Sequence, residues 1–245
     1  MKRIFFHIAA IFALASGLSS CSGILDGIYD DAQPDSTFEE GFHGTESTSF
    51  TLRLDATSYD NWIYINLTDR SIERMPIPST LTGRWDGRSA LVYQLVEGDR
   101  YTELDYIPTD TQAEPAHWDF AIHHFDVKTN GAEVAETQWS ELSNVDKSAI
   151  ASLDFKADEW NDHQVITDLR EMMGFKIGYQ NSKVNPALTR WVTMDFSTPP
   201  PVYSATGRVY IMRLPSGELA ALKMRSYMSE TGTKGFLTID ITYPL

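Results

Sequence analysis

Apolar and polar residues alternate with period two along much of this chain. In "SFTLRLD", Phe50, Leu52 and Leu54 alternate with Thr51, Arg53 and Asp55. In "NWIYINL", Trp62, Tyr64 and Asn66 alternate with Ile63, Ile65 and Leu67. Successive strand side chains point to opposite faces, so this pattern predicts strands. "LTGRWDGRSALVYQLVEGDRYTEL" holds Gly-bounded aromatic and β-branched segments and predicts a further hairpin or an inserted loop. "GRVYIMRL", "GELAALKMRSYM" and "KGFLTIDITYPL" are apolar runs separated by "PSG" and "ETGTKG", a three-stranded meander. The middle is less regular. "SELSNVDKSAIASLDF" reads as a short helix or a loop. "DHQVITDLREMMGF" has some helical spacing at Val165, Leu169 and Met172 or Met173. The fold class expected is all-β, mostly antiparallel sheets, with one or two short helices.

"WDFAIHHFDVKTNG", Trp118 to Gly131, raises a chemical question because it carries two adjacent histidines. In a regular strand, His123 and His124 point to opposite faces and cannot both reach one ligand. The expectation is one core or half-buried His bonded to backbone or carboxylate, plus one solvated His.

The 11 Tyr, 12 Phe and 6 Trp agree with β structure. The first residues are targeting sequence rather than fold. Lys2 and Arg3 precede a short apolar run that ends in "LSSC", and Cys21 is the only cysteine. This resembles a bacterial lipoprotein signal, with Cys21 as the lipidated first residue of the mature protein. No intramolecular disulfide is then possible. Residues 22–48 are acidic and rich in Gly, Ser, Asp and Pro, and read as a flexible tether; residues 49–245 read as one domain. A net charge of -14 disfavours nucleic acid as a partner.

Hydrolase, zinc-protease, phosphate-loop and dinucleotide motifs are absent, and no nucleophile–base constellation stands out. Asp158, Asp162 and His163 lie close in sequence and are a weak acid/base or metal candidate. The methionines offer more. Met172 and Met173 are adjacent, and Met194 follows Trp191 in "RWVTMDFSTPPPVY". Thioether sulfur is a soft, neutral ligand that suits haem iron, as imidazole does. Such a cofactor wants apolar, aromatic walls, and Trp160, Phe175, Tyr179, Trp191, Phe196 and Tyr203 lie in the same stretch.

"WDFAIHHFDVKTNG", the Trp of "TRWVTM", "TGRVYIMRLPSGELAALKMRSY" and the closing "KGFLTIDITYPL" together resemble the HmuY-like haem-binding lipoproteins, from about Ser49 to Leu245. The resemblance implies an all-β domain, lipid-anchored in the outer membrane at the cell surface or shed from it. It implies capture of haem between two β extensions and transfer to an outer-membrane receptor, without catalysis. His123 matches a family histidine that is not a ligand. For the axial ligands, "DHQV" at His163 is similar to the family's first-ligand context. Relatives with methionine ligands point instead to Met172 or Met173. The second ligand follows the Trp by a few residues, where Phe196 or Pro199 stands here and Met194 is the one candidate nearby. Phe175, Tyr179, Trp191, Phe196 and Tyr203 are the candidate pocket residues. That departure also leaves open a scaffold that binds another apolar ligand or a protein partner.

Overall fold

The computed structural model describes residues 37–77, 89–97, 100–108, 112–168, 176–195, 197 and 201–245. Sixteen strands account for its regular structure. In chain order they are β1 (Gly41–His43), β2 (Ser49–Asp55), β3 (Asn61–Asn66), β4 (Ser71–Pro76), β5 (Ser89–Glu97), β6 (Arg100–Pro108), β7 (Phe120–His123) and β8 (Asp126–Thr129). There follow β9 (Glu133–Glu136), β10 (Glu159–Asp168), β11 (Lys176–Val184), β12 (Val192–Asp195), β13 (Val202–Ala205), β14 (Val209–Arg213), β15 (Leu219–Met228) and β16 (Lys234–Thr242).

Neighbouring strands of the described residues pair antiparallel. One six-stranded sheet has the order β1-β2-β16-β15-β14-β9, and a four-stranded sheet has the order β4-β3-β7-β8. The alternation in β2 is realised, with Phe50, Leu52 and Leu54 buried and the residues between them half-buried. These three meet Leu237, Ile239 and Ile241 of β16, and Ile63, Ile65, Phe120 and Ile122 of the second sheet, in one core. The two sheets therefore pack face to face as a sandwich. The C-terminal meander is β14-β15-β16, as its turn signals predict.

Strand β3 departs from simple alternation because it is buried on both faces. Ile63 and Ile65 enter the main core, while Trp62 and Tyr64 pack on Trp118, Ala121, Val165 and Val184. Val165 belongs to β10 and Val184 to β11. From this second core a separate four-stranded sheet extends, in the order β10-β11-β5-β6, and includes the predicted β5–β6 hairpin. A two-stranded ribbon, β12-β13, forms the other extension.

Two expectations need correcting, and the reading of "SELSNVDKSAIASLDF" as a short helix or a loop is met. The helical spacing in "DHQVITDLREMMGF" does not give a helix over its described part: residues up to Asp168 are strand β10, and Val165 is buried in the cluster with Trp62 and Tyr64 of β3. The longer "SELSNVDKSAIASLDF" stretch forms two single 3-10 turns, Leu142–Asn144 and Ile150–Ser152, which cover the outer side of β14 and β15. With Leu188–Arg190, these are the short helices of the described residues. Finally, β1 lies inside the stretch read as tether and pairs with β2, so the sheet begins before Ser49. No described helix is long and apolar enough to cross a membrane.

Candidate functional site

The "WDFAIHHFDVKTNG" stretch is not one strand but the hairpin β7–β8. Its turn is His124–Phe125, with His123 opposite Asp126. The polar residues of the motif tie the hairpin into the sandwich. Asp119 Oδ2 accepts from the Leu67 N–H at 2.7 Å, and Asn130 Nδ2 donates to the Trp118 carbonyl at 2.9 Å. Thr129 donates through N–H and Oγ1 to the two carboxylate oxygens of Asp158. Lys128 donates to Tyr64 Oη at 2.9 Å and to Glu114 Oε1 at 2.7 Å, and its ammonium faces the rings of Trp62, Tyr64 and Trp118. Burial pushes the Lys128 pKa down, and Glu114 opposes the shift. A buried cation needs such partners.

His123 meets the expectation of a core histidine bonded to backbone, whereas His124 is not the solvated partner expected. His124 has left the strand, with φ of +54°, a conformation uncommon outside glycine. Its ring therefore turns inward and lies 5.3 Å from that of His123, and neither side chain is solvated. His123 Nε2 donates to the Tyr59 carbonyl at 3.1 Å. His124 Nδ1 shares a 3.1 Å hydrogen bond with Tyr227 Oη, and its ring stacks on Tyr59 at 3.6 Å between centroids. Among the described residues His123 Nδ1 and His124 Nε2 have no partner, and both are buried. Burial holds both rings neutral, with the His123 pKa lowered to about 4 and that of His124 well below its ordinary value. The pair serves the interior. The Asp158 carboxylate is likewise structural, since it also accepts from Asn185 Nδ2. Among the described residues no group of three or more His, Cys, Asp or Glu could hold a metal ion.

Asn185 and Trp191 connect this hairpin to the β12–β13 ribbon. Asn185 donates its N–H to the Val127 carbonyl, while its Oδ1 accepts from the N–H groups of Ala187 and Leu188. That caps the 3-10 turn leading to Trp191. Trp191 is 0% exposed and donates Nε1–H to the Phe125 carbonyl at 2.9 Å. It is therefore the footing of the ribbon rather than an open pocket wall. The Thr206 N–H returns to the Trp191 carbonyl at 2.7 Å and closes the ribbon's base.

On the ribbon, Met194 stands opposite Tyr203 and Val192 opposite Ala205. Met194 is 39% exposed. The Tyr203 ring leans inward to 5.3 Å from Tyr227, which in turn lies 5.8 Å from Trp191. A column of aromatic rings thus runs from Met194's neighbour into the core. Burial raises the pKa of Tyr203 and, to about 12, that of Tyr59, so both phenols are neutral donors at neutral pH. Tyr59 and Tyr227 escaped the sequence reading. Tyr59 lies in a turn, and Tyr227 follows register shifts near the end of β15, so neither fits a simple alternation.

The opposite extension carries His163. Asn161 pairs with Ser182 and Val165 with Gln180, so Asp162, His163 and Gln164 face a single residue, Asn181. This is a large bulge, a device that redirects side chains next to functional sites. Tyr179 pairs with Ile166 on one side and Leu91 on the other. Trp160, at the foot of the same strand, is 63% exposed. Met172, Met173, Phe175, Phe196 and Cys21 lie outside the described residues.

The HmuY protein family matches residues 58–241. The chain belongs to the HmuY family. A crystal structure of a candidate lipoprotein from Bacteroides fragilis is 33% identical, with a TM-score of 0.66 over 86% of this chain and 99% of that one. A candidate HmuY-like haem-binding protein from Bacteroides vulgatus is 31% identical, with a TM-score of 0.66 over 84% of this chain and 99% of the other. The Tannerella forsythia HmuY analogue, solved without ligand, shares the fold at 24% identity and a TM-score of 0.64, over 80% of this chain and 96% of that one. Among curated proteins no similar sequence is found.

Proposed function

We propose that this HmuY-family protein is a haem-binding lipoprotein. It is anchored through Cys21 in the outer membrane at the cell surface, captures haem and passes it to an outer-membrane receptor. The observation that carries the reading is membership of the HmuY family together with a 31% identical relative described as haem-binding. The residue types in the sequence suit the group: the imidazole of His163, the thioethers of Met172 and Met173, and the thioether of Met194 on the β12–β13 ribbon. Bound haem supplies the iron that these donors would ligate; the chain supplies neutral axial donors and an aromatic surface at Tyr203. It acts as a binding protein and not as an enzyme.

The test is a titration of residues 22–245 with ferric haem. A saturable one-to-one Soret shift, weakened by Met194→Ala, is the expected result. A flat titration would overturn the reading. A second reading draws on Phe196 standing where the family's second ligand is expected. In it the scaffold binds another apolar ligand or a protein partner, and the flat titration is its predicted outcome.

A further inference from the structure

Among the described residues, Lys234 is a half-buried cation without a counter-charge, in a chain of net charge -14. It opens β16 opposite Met228. Its ammonium lies 5.9 Å from the centroid of the Tyr203 ring, and Tyr203 is the cross-strand partner of Met194. Among the described residues no carboxylate lies within ion-pair distance of Lys234, whereas Lys128 and Lys223, also largely covered, pair with Glu114 and Glu141 at 2.7 Å. Burial pushes its pKa down. The position is fixed by the backbone. The next residue, Gly235, has φ of +93°, and a Cβ there would meet Thr57 Cγ2 at 2.9 Å. The Gly235 carbonyl also accepts from the Ala56 N–H at 2.8 Å. The strand start is therefore clamped against the Ala56–Thr57 segment, and the lysine is held beside the ribbon.

A partly desolvated ammonium is costly unless something supplies negative charge. The described residues do not supply it, so an incoming anion can. A second donor is at hand: the Tyr203 hydroxyl makes no hydrogen bond among the described residues, and burial keeps it protonated at neutral pH. Next to these two donors lie the half-exposed thioether of Met194 and the face of Tyr203. The neighbourhood thus joins a cation and a neutral donor to an apolar patch.

We propose that Lys234, aided by the Tyr203 hydroxyl, is the anion-recognition residue of the ligand site and receives a carboxylate carried by a flat apolar ligand lying on Tyr203 and Met194. The inference rests on the haem reading, in which the anion is a propionate of haem. It adds a residue that selects for the charged arm of the ligand and not for its iron.

The test compares ferric haem with its dimethyl ester, which keeps the iron and ring but lacks both carboxylates. Wild type is expected to bind haem about tenfold or more tighter than the ester. Lys234→Met is expected to bind both alike, near the ester affinity of wild type. Because methionine removes an unpaired buried charge at similar volume, its unfolding midpoint should equal or exceed that of wild type, so loss of fold is not confused with loss of site. A Lys234→Met protein that keeps the wild-type preference overturns the proposal. If neither porphyrin shifts the Soret band of wild type, the haem reading fails. The site is then probed with 8-anilinonaphthalene-1-sulfonate, an apolar anion. Weaker fluorescence enhancement in Lys234→Met supports the anion site, and equal enhancement in both proteins overturns it.

Discussion

The β7–β8 hairpin and the β12–β13 ribbon are of the same kind: two short antiparallel strands, each carrying residues that metals like. Their surroundings differ. In β7–β8 the histidines are interior, one held by a backbone carbonyl and the other by a tyrosine hydroxyl, and even their two unpartnered nitrogens are sealed from solvent. In β12–β13, Met194 is 39% exposed, and the neighbouring Tyr203 hydroxyl and Lys234 ammonium are left without partners among the described residues. Residue type alone does not mark a site. A reactive-looking side chain whose bonds are spent on the frame is frame; one left exposed beside unspent donors is available to a ligand.

The sharpest way to break this comparison is at the joint. Trp191→Ala removes a fully buried indole and the bond to the Phe125 carbonyl, and should cost about 4 kcal/mol in urea unfolding while disordering the ribbon. If stability is unchanged, the ribbon is not footed on the core. Next comes pH. The folded state keeps His123 neutral, with its pKa lowered from 6.5 to about 4, whereas the unfolded chain protonates it near its ordinary value. Unfolding therefore takes up a proton in this window. The stability present above pH 6.5 falls as pH drops towards about 4, by roughly 3 kcal/mol from this group. His124 acts in the same direction. Unfolding curves across that range, compared with those of His123→Phe, should show a shallower slope in the variant.

Asn185→Ala should cost about 2 kcal/mol, because it strips the cap from the N–H groups of Ala187 and Leu188 and removes a donor to Asp158. The smallest effect on stability belongs to Met194→Ala, expected within about 0.5 kcal/mol because the side chain is already part-exposed. A large loss there would make the ribbon part of the core and erase the contrast.

Much of the fold was legible from the sequence where burial is one-sided. Phe50, Leu52 and Leu54 announce β2, and the meander of β14 to β16 follows from its turns. Legibility fails where tertiary contacts override local pattern. Strand β10 carries a helix-like spacing because its bulge interrupts the period of two, and Val165 is buried by Trp62 and Tyr64 from another sheet. His124 defeats the face argument by taking a left-handed conformation that no period records. For the proposed site, residue type and the place of Trp191 point to Met194 and Tyr203. Lys234 was not, because a lysine in a strand looks solvated until the structure places it half-buried beside Tyr203 without a carboxylate.

The most direct measurement is a Soret titration of Met194→Ala with ferric haem, run beside wild type with the unfolding midpoint recorded for both. The account predicts a saturable shift for wild type, at least about tenfold weaker binding for the variant, and unchanged midpoints. Equal affinities would contradict the assignment of the ribbon as ligand surface, and no shift in either protein would contradict haem as the cargo.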